Sequence, residues 1–255
     1  MDYALQGKRA LVTGAAGDIG STLVRELHAQ GCQVAAGDLD SDSMSGLNEL
    51  GDKVIALPLD VTREESVQHA VQTAHDHFGG LDIVVNVAGV LCRKSFFETT
   101  QQDFADSLAV NVTGPFLVSK AAARLMKDQG QGVIINISSI SGSRAIENRT
   151  AYGSSKAALD LLTQSAALEL GAHGIRVVAV APGVVDSRMA RVRLNTAQLR
   201  AEFARNIPLQ RLATPYDIAQ VVMFLASPAA SYITGETVSV DGGLLTRQSL
   251  PRPTK

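Results

Sequence analysis

The stretch Val133-Ile134-Ile135-Asn136-Ile137-Ser138-Ser139, followed after a Gly-containing connector by Tyr152-Gly153-Ser154-Ser155-Lys156, decides the fold. The run up to Ser138 is apolar almost throughout, the pattern of a strand buried on both faces of a parallel sheet. From Tyr152 onward, Ala157, Ala158, Leu161, Leu162, Ala166 and Leu170 recur at helical spacing and predict a helix over 152–171 with these residues as its core face. Tyr152 and Lys156, four residues apart, then share one face of it. Ser139 falls at the carboxyl end of the strand, the side on which open parallel sheets bind ligands. A hydroxyl, a phenol and an ammonium brought together there suit proton transfer at an alcohol or carbonyl oxygen. A free phenol has a pKa of about 10, and a nearby ammonium favours its ionised form. The same spacing also describes an ordinary helix pair behind a strand-ending serine, so the rest of the chain carries the argument.

Outward from this stretch, strand-like and helix-like runs alternate. Strands are predicted at 8–13, 33–37, 53–58, 82–87, 132–138, 175–181 and 236–240. Helices are predicted at 19–30, 42–50, 63–78, near 100–128, 152–171 and 215–226. Such alternation predicts a parallel sheet with right-handed crossovers and helices on both faces. No linker interrupts it before about residue 243, so a single domain is expected, with a C-terminal tail over 244–255. The polar segment 187–206, with Arg188, Arg191, Arg193, Arg200 and Arg205, is expected to form a lid over the strand ends; a solvated surface helix has the same composition.

The chain has 255 residues, 45% hydrophobic and 19% charged, enough for one sizeable core. A net charge of −2 gives no broad attraction to nucleic acid or anionic membrane, and neither is expected as a partner. The two cysteines, Cys32 and Cys92, build no disulfide framework and point to a cytoplasmic location. No apolar run reaches membrane-spanning length. The five histidines, among them His75 and His77 two apart on a helix, present no metal-ligand spacing, and no metal is expected.

Several turns carry chemistry. Thr13-Gly14-Ala15-Ala16-Gly17-Asp18-Ile19-Gly20 joins the first strand to the first helix, where glycines let backbone approach a pyrophosphate and the helix start favours its charge. Asp38 ends the second strand, about 20 residues on, where a carboxylate accepts bonds from ribose hydroxyls or caps the next turn. Asp60 either meets an adenine edge or caps a helix with Thr62. Asn86-Val87-Ala88-Gly89 ends the fourth strand with small residues. Asn111, inside the long helix, needs partners, either water or neighbouring backbone. Pro182-Gly183-Val184-Val185-Asp186-Ser187 bends sharply after the sixth strand.

In this order and spacing these motifs resemble the short-chain dehydrogenase/reductase family from about Gly7 to Gly243. The resemblance implies an α/β, single-domain Rossmann fold: a doubly wound parallel sheet of about seven strands. It implies hydride transfer between a nicotinamide cofactor and a secondary alcohol or ketone, and a homo-oligomer, tetramer or dimer, built by pairing the long helix and the Tyr152 helix. It makes Tyr152 the general acid/base, Lys156 its pKa-lowering and ribose-binding partner, Ser139 the holder of the substrate oxygen, and Asn111 the holder of a relay water. Cofactor contacts are expected from Gly14, Gly17, Asp18, Ile19, Gly20, Asp38, Asp60, Val61, Asn86, Ala88, Gly89, Tyr152, Lys156, Pro182, Gly183, Val185 and Ser187. Substrate contacts are expected from Ser139, Ser141, Tyr152, Arg93, Arg144 and Arg149. Three positions depart from the family pattern: Asp18 stands where glycine is usual, Val87 where asparagine is, and Ser187 where threonine is.

With Asp38 in place and no basic residue among Ala15, Ala16, Gly17 and Leu39, NAD is the expected cofactor. A small sugar, sugar acid or polyol is the first expected substrate, since Leu91-Cys92-Arg93-Lys94 and the connector 144–149 are polar and charged. Reduction of 3-oxoacyl carrier-protein thioesters is the alternative, because basic residues at a pocket rim also suit an acidic carrier. A catalytically silent dinucleotide-binding protein, a third reading, has no need of the complete Asn111, Ser139, Tyr152, Lys156 set.

Overall fold

Successive residues of each strand enter different cores, which is why the strands read as unbroken apolar runs. The computed structural model describes residues 1–40, 42–192 and 194–246. Its strands are β1 (Arg9–Thr13), β2 (Gln33–Asp38), β3 (Val54–Pro58), β4 (Ile83–Asn86), β5 (Gly132–Ile137), β6 (Ile175–Pro182) and β7 (Thr237–Val240). They form one seven-stranded parallel sheet in the order β3-β2-β1-β4-β5-β6-β7. On one face Leu11, Ala35, Val84, Ile134 and Val177 pack with the apolar stripes of α2 (Glu64–Phe78) and α4 (Gly114–Gln129), and with Ala167 of α6 (Thr150–Leu170). On the other, Val12, Val34, Ile83, Ile135 and Val178 pack with α1 (Asp18–Ala29) and α9 (Pro215–Ala226). The expected doubly wound parallel sheet is present, with helices on both faces.

The strand order reverses between β1 and β4, and it is outside the carboxyl ends of strands at such a switch point that a ligand cleft opens. Most expected elements lie within two residues of their observed bounds. The helix expected near 100–128 is instead α3 (Gln101–Leu108), a π-helical turn at Ala109–Thr113, and α4. Asn111 sits in that wider turn, and such turns occur frequently at functional sites. The helix expected at 42–50 is a 3₁₀ segment, Asp42–Lys53, interrupted at Gly51, where φ is +74°. The expected lid contains α7 (Arg188–Arg191) and α8 (Ala197–Ala204), each started by a hydroxyl cap, Ser187 and Thr196. The short helix α5 (Ile140–Ser143) follows β5. Arg193 and the tail 247–255 lie outside the described residues.

Candidate active site

The end of β5 and the first turns of α6 meet as the spacing predicted. Ser139 caps α5, its Oγ accepting from the Ser141 N–H at 3.1 Å, and its hydroxyl also hydrogen-bonds the Tyr152 phenol. Burial pushes that phenol above its ordinary pKa, while the Ser139 bond and the positive charge of Arg149 pull it back. Lys156, only 4% exposed, donates from Nζ to the Ile137 carbonyl at 2.8 Å, with Nζ 5.8 Å from the centre of the Tyr152 ring. Desolvation lowers its ammonium to about 8, partly offset by the Asp160 carboxylate one turn along α6. Lys156 was expected to be the charge that draws the phenol down; here Arg149 has that effect, and the Lys156 ammonium is turned to the end of β5.

Asn111 is fully buried and joins three elements. Its Oδ1 accepts from the Val90 N–H at 2.9 Å, and its Nδ2 donates to the Val90 carbonyl at 3.0 Å and to Ser155 Oγ at 2.9 Å. Ser155 Oγ donates in turn to the Tyr152 carbonyl at 2.7 Å. Asn111 therefore ties the loop after β4 to the helix that carries Tyr152. Sequence reasoning passed over Ser155 and Asp160 because the expected core face of α6 is displaced: Ala157 and Leu161 are exposed, and the buried positions are Ala151, Ser155, Lys156, Leu159, Thr163 and Ala167.

A cleft bounded by Ile19, Gly89, Ser139, Tyr152, Lys156, Pro182, Gly183, Val185 and Ser187 brings together residues expected for cofactor and for catalysis. Arg93 and Arg149 also line it, with Met189, Leu194 and Phe203 of the lid segment. Arg149 Nη1 donates to Ser141 Oγ at 3.1 Å. Arg144, by contrast, is exposed and does not line the cleft, and Lys94 is drawn away to Asp103 at 2.9 Å.

The nucleotide end is built from turns. Gly14 has φ +66°, and a Cβ there would lie 2.7 Å from the Ala88 nitrogen; a Cβ at Gly20 would overlap the Gly14 carbonyl. Thr13 Oγ1 accepts from the Val87 and Ala88 N–H groups, binding the first turn to the loop after β4. Asp38 Oδ2 accepts from the Ala16 N–H at 2.9 Å, so its carboxylate sits against the glycine-rich turn. Asp60 accepts from the Thr62 N–H and hydroxyl in a local turn before α2 and caps no helix, since α2 starts after Arg63 without a side-chain cap, and Val61 is buried against Gly114. Asn86 differs from expectation: its side chain points into the core, donating to Asn136 and Ser119, away from the cleft.

Residues 14–245 match a family model described as enoyl-(acyl carrier protein) reductase. The chain belongs to the short-chain dehydrogenase/reductase family. It is 37% identical to 3-oxoacyl-[acyl-carrier-protein] reductase FabG of Vibrio cholerae, over 94% of this chain and 98% of that one. It is 32% identical to 5-keto-D-gluconate 5-reductase of Escherichia coli K12, over 95% and 97%. The structure of ElxO with NADP bound superposes with a TM-score of 0.89 at 30% identity, over 94% of this chain and 99% of that one. The protein is thus an oxidoreductase acting on CH–OH groups, and its family uses a nicotinamide cofactor. The residues present fit that group: the turn from Gly14 to Gly20 leaves a concavity that side chains would fill, the first amides of α1 lack intrahelical acceptors, and Asp38 adjoins them. Among the described residues no helix is long and apolar enough to cross a membrane, and no cluster of His, Cys, Asp or Glu could hold a metal.

Proposed function

We propose that this enzyme interconverts a hydroxyl and a keto group on a small sugar acid or related hydroxylated carboxylate, with NAD as the preferred cofactor. The observation that carries the reading is Arg149, which lines the same cleft as Ser139 and Tyr152. A guanidinium can grip a carboxylate through two parallel hydrogen bonds. The nicotinamide would accept or supply the hydride. In oxidation, Ser139 holds the substrate hydroxyl and the Tyr152 phenolate takes its proton; in reduction, the phenol returns it. Lys156 places a cation beside Tyr152 at the reaction end of the cleft, and Asn111 fixes the loop after β4 against α6. Asp38 supports NAD: a 2′-phosphate of about −1.5 to −2 charge would stand against its carboxylate.

The resemblance to 3-oxoacyl-[acyl-carrier-protein] reductase favours a second reading on the same chemistry, in which exposed Arg93 at the cleft's edge meets an acidic carrier. A homo-oligomer is proposed with either: α4 and α6 leave Phe116, Leu161 and Leu168 exposed, the last at 85%. The experiment is a substrate panel of keto sugar acids, polyols and 3-oxoacyl thioesters, followed by NADH and NADPH absorbance. Turnover confined to thioesters would displace the sugar-acid reading; turnover with neutral polyols alone would remove the carboxylate.

A further inference from the structure

Arg188 joins the start of α7 to the glycine-rich turn before α1. Asp18, the first residue of α1, stands where the family pattern has glycine, and a bare carboxylate at that helix start would repel a diphosphate. The structure does not leave it bare. Asp18 Oδ2 accepts from the Arg188 backbone N–H at 2.5 Å, and Oδ1 accepts from Arg188 Nε at 3.2 Å. Arg188 Nη2 donates to the Ala16 carbonyl of the same turn. Ala16 is also the residue whose N–H is held by Asp38. A guanidinium has five N–H donors; two are used here, five less two leaving three, on a side chain that is 68% exposed. Arg188 lies between Ser187 and Met189, both of which line the cleft.

We propose that Arg188 is a ligand of the cofactor's diphosphate, held over the glycine-rich turn by Asp18, which acts as its positioning residue and not as a cofactor contact. The expected role of Asp18 changes accordingly: the carboxylate is neutralised and used to aim a cation. The pairing also explains how an acidic residue is compatible with a phosphate-binding turn, because together the two side chains leave the positive end of α1 in force. An exposed ion pair contributes little to stability on its own, so the consequence falls on binding.

The inference rests on the reading that a nicotinamide cofactor occupies this cleft, and the test separates the two. NADH binding is measured by fluorescence titration, and ADP-ribose and adenosine by competition against it, for wild type, R188Q, R188K and the double variant D18N/R188Q; thermal melting checks that each is folded. R188Q is expected to weaken NADH and ADP-ribose by about tenfold or more and to leave adenosine, which lacks the diphosphate, unchanged. R188K, with the charge but not the fork, falls between. D18N/R188Q regains part of the loss, since the unpaired carboxylate is gone. R188Q binding NADH as wild type does would overturn the proposal alone, as would an equal loss for adenosine. Failure of the double variant to recover would remove the positioning role of Asp18. Wild type that binds neither NADH nor NADPH would overturn the functional reading and this inference with it.

Discussion

The two ends of the cleft handle charge in opposite ways. At the reaction end, Lys156, Asn111, Ser139 and Ser155 are buried and each is tied to neighbouring backbone or hydroxyls. At the nucleotide end, Asp18 and Arg188 hold each other in a partly solvated ion pair across 170 residues of sequence. Burial makes ionisation expensive, so the reaction end gains reactive groups with displaced pKa values. At the nucleotide end the paired side chains stand partly in solvent, and there geometry decides which ligand is accepted.

The severest way to break this contrast is Tyr152→Phe. It removes the phenol and keeps the ring, so turnover is expected to fall roughly 10² to 10⁴-fold while NADH binding persists. Steady-state rates with cofactor titration check this; wild-type turnover would end the assignment of Tyr152. Raising pH should sharpen the same point: burial holds the phenol above its ordinary value, so the rate of alcohol oxidation keeps rising with pH through and beyond the neutral range as phenolate forms, while ketone reduction, which needs the phenol, stays level there and falls only above the ordinary phenol value of about 10. A pH-independent oxidation rate, with chemistry rate-limiting, would contradict it.

Lys156→Met separates function from stability. The native ammonium has a pKa of about 8 against an ordinary 10.5. A depressed native value means that the cost of the buried charge is fully present below pH 8 and relieved as pH rises from 8 to 10.5, where the unfolded chain still binds the proton. The variant is therefore expected to lose turnover yet unfold at neutral pH with a free energy on the order of 1–3 kcal/mol higher, and this advantage shrinks by pH 10. Urea melts at the two pH values read it; a destabilised variant at pH 7 would show that the Ile137 bond outweighs desolvation.

At the nucleotide end, Asp38→Ala should weaken NAD and relieve the exclusion of NADP, and Leu39→Arg added to it should shift the preference further, each by about tenfold in the ratio of kcat/KM, a step of roughly 1.4 kcal/mol. A wild-type ratio already favouring NADP would refute the role of Asp38. The smallest effect is expected from Arg149→Gln: a rise in KM for carboxylate substrates with less change in kcat, the signature of lost ground-state binding. An unchanged KM would place Arg149 with the surface charges.

Much of this was legible in the chain before any coordinates. Unbroken apolar runs and period-3.6 patterns are local, and they determined the parallel sheet, the strand that ends at Ser139 and the helical face shared by Tyr152 and Lys156. Glycine at position 14 was legible for the same reason, since a left-handed turn beside a strand end constrains residue type directly. Tertiary structure alone decided which charges meet. Arg144 and Arg149 looked equivalent in one connector, yet only Arg149 reaches the cleft. Asn86 looked like a cofactor contact and turned into the core. The lowering of Lys156 to about 8 comes from burial, and the pairing of Asp18 with Arg188 from the docking of α7 against the first turn. Periodicity encodes where a side chain points within its own element; how far it is desolvated, and by which distant group it is met, depends on how the elements pack.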